Sequence, residues 1–200
     1  MTLHLVTPGF RPHFIFRQLK YLCEYSNCDF IWHIIMDSKI TFDITQDENY
    51  LKIKDKIRIY SVDTTYPYGF EQRNYFTETL SKSYNDIDWV YFLDDDNLPS
   101  PDVFECWLKY RTQPSINFVL MSQLRFFNPT KRLYGRKGND SLEKVDMGNF
   151  ICKLKIIKGR HMNPQLYSSD GHFVEDLKKN YENSFAYEES LMALYNVLHV

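Results

Sequence analysis

The sequence predicts one α/β domain built on a sheet of parallel strands. Two observations carry this. Short apolar runs of strand length recur from Leu3 to Ser122 and alternate with segments whose apolar residues fall at helical spacing. Polar residues stand just past three of those runs, at Thr7, at Asp37 and at Asp94 to Asp96. That is where ligands bind in open α/β sheets, beyond the carboxyl ends of the strands. The length of 200 residues suits a single domain with a full core.

Each element has its own justification. Leu3 to Val6 is a short apolar run closed by Pro8-Gly9, a buried strand entering a turn. Phe14 to Tyr25 places Ile15, Leu19, Leu22 and Cys23 on one helical face. Phe30 to Met36 is a second buried strand and ends at Asp37-Ser38, and Lys56 to Val62 is a third. Glu71 to Tyr84, preceded by Gly69, reads as a helix. Trp89 to Leu93 is a fourth strand that runs straight into the acidic triplet. Asp102 to Tyr110 reads as a helix capped by Ser100 with Pro101 at its first position. Ile116 to Ser122 is a fifth strand. Asn128 to Leu142 is polar, a loop or hairpin, and Met147 to Ile157 is a strand leading to a helix. Ser168 to Asn180 reads as a further helix, Glu188 to Tyr195 as a last short one, and Val197 to Val200 as an apolar tail around His199. No repeat or linker divides the chain, so residues 1–200 are taken as one domain.

Composition removes several classes of function. With 44% hydrophobic and 25% charged residues, the chain is not disordered. A net charge of -2 carries no basic field for nucleic acid. No apolar stretch approaches the ~20 residues of a membrane span. The N-terminus MTLHLVTPGF lacks the charged and apolar regions of a signal peptide. The four cysteines form no CxxC pair, so free thiols in a reducing, cytoplasmic setting are expected, with a Cys23–Cys28 bridge as the alternative.

The triplet Asp94-Asp95-Asp96 carries the chemistry. Two like charges about 6 Å apart repel by ~3 kcal/mol at an effective dielectric near 20. A hard divalent cation, Mn²⁺ or Mg²⁺, would neutralise them, taking one or two carboxylates and completing its shell with substrate phosphate. A solvated loop with a helix cap is the plainer alternative for the bare triplet. The apolar run before it and the turn residues Asn97, Pro99 and Pro101 after it favour a site.

WVYFLDDDN resembles the DxD strand and loop of GT-A glycosyltransferases, and among them the β-1,3-glucuronyltransferase family. LHLVTPGFRP resembles that family's opening strand and the VTP-x-x-x-RP turn after it. HIIMDS resembles its second strand, GFEQRN its G-x-x-QRN helix start, and VDMGNFICKLKII its VDMAGF segment. The five matches occur in the family's order between Leu3 and Ile157. Small viral and bacterial GT-A enzymes share the same core. The resemblance implies a Rossmann-like α/β/α sandwich in which residues 1–127 bind the nucleotide sugar and 128–200 carry the acceptor and catalytic half.

It also implies roles. Thr7 and Pro8 would line the nucleotide pocket, Asp37 would accept from the base edge of a uracil, and Arg73 would stand near the phosphates. Asp94 and Asp95 would hold ribose or the metal shell. Asp96 would ligate the cation directly, joined by Asp94 and, through a likeness of VLHV to the family's VWH segment, by His199.

An inverting transfer needs a carboxylate to take the acceptor's proton. Asp170, opening the helix SSDGHFVEDL, is the choice, since the family places its base Glu at such a helix start. An N-cap aspartate is the structural alternative. Glu188 in AYEESL is the runner-up, with Glu175, Asp176 and Glu189 further candidates.

The function expected is metal-dependent, inverting glycosyl transfer from a nucleoside-diphosphate sugar, in particular a UDP-sugar, to a hydroxyl of a glycan or glycoconjugate acceptor. A soluble bacterial enzyme, or a virus-encoded one in host cytoplasm, suits a chain without an anchor. A nucleotidyltransferase-like phosphate enzyme is one alternative, but VTPGFRP lacks the glycine density of a phosphate loop. A nucleotide-sugar-binding module without turnover is another.

Overall fold

A computed structural model of the chain describes residues 1–66, 68–127, 130–134, 145, 147–166 and 169–195. In chain order the elements are β1 (Leu3–Gly9), α1 (Pro12–Leu22), β2 (Phe30–Asp37), α2 (Glu48–Ile53), β3 (Ile57–Val62), α3 (Phe70–Glu78), β4 (Trp89–Phe92), β5 (Leu98–Pro99), α4 (Asp102–Tyr110), β6 (Phe118–Phe127), β7 (Thr130–Tyr134), β8 (Phe150–Lys153), α5 (Ser169–Asn180) and β9 (Phe185–Tyr195). One sheet runs in the order β3-β2-β1-β4-β8-β6-β9-β5, with β7 beside β6.

Alternation along the central strands builds three layers. Leu3 and Leu5 of β1, with Trp89 and Tyr91 of β4, pack with Ile15 and Leu19 of α1, Ile53 of α2 and Val103 and Trp107 of α4. Val6, Val90 and Phe92 project to the opposite face and pack with Phe70 and Phe76 of α3 and Val174 and Leu177 of α5. A strand buried on both sides reads as continuously apolar, which is why WVYFL carries no polar residue. Full burial of each such side chain stabilises by roughly 1.5–3 kcal/mol.

The parallel core matches expectation: β1 pairs in parallel with β2 and β4, and β2 with β3. Beyond β4 the sheet is mixed. β8 lies antiparallel between β4 and β6, so the expected fifth parallel strand is displaced one position outward. β7 and β8 both run antiparallel to β6.

A second correction concerns Glu188 to Tyr195. FAYEESLMALY is composed of good helix formers, yet it forms β9, paired in parallel with β6 across register shifts at Met121/Ser122 and Ser122/Gln123. Propensity is worth tenths of a kcal/mol per residue, and an open edge on a ten-residue strand outweighs it. Helix α2, which the sequence reading passed over, starts at Asp47, whose carboxylate accepts from Asn49 N at 2.7 Å. All four cysteines are free thiols. Among the described residues no helix is long and apolar enough to cross a membrane.

Candidate functional site

The site grows from the end of β4. Leu93 N still donates to Val6 O at 2.9 Å, prolonging the ladder with β1. The chain then leaves the sheet, and Asn97 N closes a turn on Asp94 O at 3.1 Å. Gln18, buried on the apolar face of α1, donates to both Asp94 O and Asn97 O at 2.7 Å. One side chain therefore holds both ends of the acidic turn.

Asp95 is 1% exposed, and its carboxylate serves the start of α1. It accepts from Phe10 N at 2.8 Å and Arg11 N at 2.9 Å, capping a helix whose own N-cap residue, Arg11, makes no side-chain cap. Arg11 also grips Asp95 through its side chain, with Nε at 2.9 Å from Oδ1 and Nη2 on the same oxygen. The remaining Nη1 reaches Asp96 Oδ2 at 2.9 Å. Burial acts to lower the guanidinium's pKa, but the hydrogen bonds and charges of Asp95 and Asp96 outweigh it and hold the group above its ordinary value.

Asp94 is paired with Arg73, which also donates from Nη1 to Tyr68 O at 3.0 Å. Arg73 lies on the first turn of α3 and is buried. Gly69, just before that helix, has φ +74°, and a Cβ there would lie 2.8 Å from Pro8 Cβ and 2.9 Å from its Cγ. Only glycine lets the start of α3 close against the end of β1.

Pro8, Phe10, Arg11, Tyr68, Gly69, Arg73 and Asp94 to Asp96 together line one cavity of about 150 Å³. That is below the ~300–1,000 Å³ of pockets enclosing a whole small molecule. It suits a phosphate-bearing part of a ligand. Three carboxylates face two guanidiniums, leaving one net negative charge. The side chains of Asp94 and Asp96 are 23% and 13% exposed, and they are the carboxylates of the triplet open to an incoming group.

Arg11 and Arg73 meet two of the triplet's three charges, so the cation the sequence argument called for has one negative charge left to answer. Among the described residues no three His, Cys, Asp or Glu side chains form a metal cage. The donor chemistry still fits a hard cation that takes Asp96 and Asp94 as oxygen ligands and completes its shell with phosphate and water.

The other expected residues divide. Pro8 lines the cavity, but the Thr7 side chain does not. Thr7 is buried inside β1, and its hydroxyl accepts from Trp32 Nε1 at 2.9 Å, because strand alternation turns it into the core. Asp37 ends β2 at the same sheet edge, outside the cavity lining, and accepts from Lys39 N at 2.9 Å and from the Thr64 hydroxyl. The hydrogen bond from Thr64 and then that from Lys39 hold its carboxyl below the usual range. Asn74 is structural, exchanging hydrogen bonds with Met162 N and O at 2.8 and 2.7 Å.

Asp170 stands half-buried in the first turn of α5 and is not among the cavity's lining residues. The carboxylate of Glu188 is held by Lys109 Nζ and by the Tyr110 hydroxyl at 3.1 Å, which ties β9 to α4. Glu175 and Asp176 are exposed on α5, Asp176 pairing with Arg160. Glu189 is exposed on β9, and His199 lies outside the described residues.

Sequence reading missed Arg11 and Gln18. Gln18 had a signal, a polar residue on the same helical face as Ile15, Leu19 and Leu22. Arg11 stood in the quoted turn LHLVTPGFRP, but its role was hidden because its partners are more than 80 residues away.

No protein-family model and no curated protein matches the chain. Solved structures do. S. aureus TarS matches with a TM-score of 0.66 at 13% identity, over 98% of this chain and 37% of that one. TarS 1–349 in complex with UDP-GlcNAc matches with a TM-score of 0.68 at 12% identity, over 97% of this chain and 58% of that one. The mannosyltransferase PcManGT from Pyrobaculum calidifontis, in complex with GDP-Man and Mn²⁺, matches with a TM-score of 0.58 at 11% identity, over 95% and 55%. The chain thus spans less than two thirds of the length of each. At such identities the likeness establishes architecture, and the architecture is the GT-A, Rossmann-like α/β/α sandwich.

Proposed function

We propose that this chain transfers a sugar from a nucleoside-diphosphate sugar, with UDP as the nucleotide, to a hydroxyl of a glycan or glycoconjugate. One observation carries the reading. At the carboxyl edge of a GT-A sheet, a diphosphate-sized cavity brings Asp94 and Asp96 together with Arg11 and Arg73. Solved structures of the same fold hold UDP-GlcNAc, or GDP-Man with Mn²⁺.

In this reading Arg73 and Arg11 bind diphosphate oxygens through charge-assisted hydrogen bonds. Asp37 accepts from the uracil edge. Asp96 and Asp94, with His199, would hold Mn²⁺ or Mg²⁺, which when bound supplies Lewis-acid neutralisation of the departing diphosphate. Asp170 takes the proton of the acceptor hydroxyl. The hydroxyl oxygen forms the new bond to the anomeric carbon as the bond to the diphosphate breaks, with inversion. Residues 1–127 serve donor binding and 128–200 the acceptor and the base. The motif likeness to β-1,3-glucuronyltransferases supports the inverting assignment.

A thermal-shift series tests this. UDP with Mn²⁺ should raise the melting temperature well beyond either alone, and Asp96→Ala should remove the shift. No stabilisation by any nucleoside diphosphate overturns the reading. Asp170→Asn should keep UDP binding and lose transfer; full activity in that variant removes Asp170 as the base. UDP binding without turnover in the wild type, over a panel of donors and acceptors, would leave a binding module.

A further inference from the structure

We propose that Gln18 is a positioning residue for the candidate cation site, holding the backbone of the acidic turn so that the Asp94 and Asp96 carboxylates are set in place for one ion. This rests on the nucleotide-sugar reading above and adds to it a residue that acts on the site without touching it.

The turn is mounted on the α1 segment at two points. At the start of the helix, Asp95 accepts from Phe10 N and Arg11 N. Further along, Gln18 reaches the first and last residues of the turn, with Nε2 at 2.7 Å from both Asp94 O and Asn97 O. Two carbonyls can be met only by the two hydrogens of the amide nitrogen, so the partners fix which way the side-chain amide faces. Asn97 N also donates to Asp94 O and closes the same turn from within. Gln18 is fully buried and is not among the residues lining the cavity. Its effect on a ligand must pass through the turn.

The surroundings of Gln18 show that the amide serves the turn rather than the core. It shares the buried face of α1 with Phe14, Ile15, Leu19 and Leu22, where an apolar side chain of the same length would pack. Its Oε1 is buried with no hydrogen-bond partner among the described residues. A buried acceptor left unmet costs stability, and the two bonds to the turn are what the amide gives in return.

Asp94 and Asp96 occupy the first and third positions of this turn, so their carboxylates follow its backbone. A small cation such as Mg²⁺ tolerates little deviation in ligand placement. Groups behind the ligands that orient them therefore act on affinity for the ion. Without Gln18 both carboxylates would remain, with Arg73 on Asp94 and Arg11 on Asp96, but the backbone that spaces them would lose its tie to α1 at both ends.

Calorimetric titration with UDP, at fixed Mn²⁺ and without the ion, reads this directly, with circular dichroism to confirm folding. In the wild type, Mn²⁺ should raise the affinity for UDP. In Gln18→Met, which keeps the length and loses both bonds, that enhancement should fall at least about tenfold while the affinity without the ion stays near the wild-type value. A purely structural role would lower the melting temperature and leave the enhancement of the folded protein unchanged. Gln18→Asn, whose amide is one methylene short of the turn, should move the same way and serves if the methionine variant does not fold. A folded variant that keeps the wild-type enhancement overturns the inference. So does a wild type that binds UDP equally well with and without Mn²⁺, and either result leaves the nucleotide reading intact. A wild type that takes up UDP under neither condition overturns both.

Discussion

Adjacent aspartates in one triplet do different work. Asp95 faces inward and joins β4's turn to the start of α1, whereas Asp96 faces the cavity. Removing the Asp95 carboxylate leaves Phe10 N and Arg11 N without their acceptor, at about 1–3 kcal/mol for each stranded donor. Asp95→Ala should therefore lower stability by about that amount, seen as a fall in the urea midpoint. Asp96→Ala, which leaves the backbone bonds of Phe10 and Arg11 to Asp95 intact, should cost less stability while losing cation-dependent UDP binding. Equal midpoints for the two variants would contradict the division. The triplet was visible in the sequence as an acidic cluster after an apolar run. Which carboxylate is structural was not, because Phe10 and Arg11 lie about 85 positions away.

The element that most shapes the cavity is the approach of α3 to β1. Gly69 sits at φ +74°, and its missing Cβ makes room for Pro8. Gly69→Ala would add the cost of a left-handed non-glycine residue, about 1–2 kcal/mol, and force Pro8 and α3 apart. Because Arg73 Nη1 lies 3.3 Å from that Cβ position, the variant should weaken UDP binding as well as lower the melting temperature. A variant with reduced melting temperature but unchanged UDP affinity would separate the turn from the site. The glycine that opens GFEQRN was legible as a helix start. Its need for a positive φ depends on where Pro8 stands.

Across the whole molecule, a buried histidine pair makes stability depend on pH. His4 Nδ1 and His33 Nε2 are 3.0 Å apart in the core beside Phe76, Tyr60 and Tyr84. Burial lowers His4 to about 4, against the opposing pull of Asp88, and lowers His33 to about 2, with help from His4 and Arg58. Above pH 6.5 both rings are neutral in the folded and unfolded states and pH has no effect through them. Below it the unfolded chain takes up protons that the folded one refuses, so stability falls as pH drops. The slope is up to about 1.4 kcal/mol per pH unit for each ring. Asp37 and Glu188, held below their ordinary values by hydrogen bonds from Thr64 and Lys109, contribute only nearer those values of 3.8 and 4.5. Urea midpoints should therefore decline between pH 6.5 and 5, and His33→Gln should roughly halve that decline. An unchanged slope in the variant would show that the pair does not titrate as a buried base.

Short-range chemistry in the chain was enough for the parallel core of β1 to β4, its alternating faces, helices α1 and α3 and the place of the triplet at the strand ends. Apolar period and turn residues act over a few positions, and those positions are adjacent in sequence. Three matters depended on long-range packing. FAYEESLMALY became a strand because β6 offered an unpaired edge. The buried Thr7 hydroxyl found its partner in Trp32, brought beside it from β2. Two of the triplet's three charges, which sequence alone assigned to a metal, were met by Arg11 and Arg73, brought in from other βα units, and one is left for a cation. Spacing along a chain reports which face a residue takes; only the closed fold brings each buried charge to its partner.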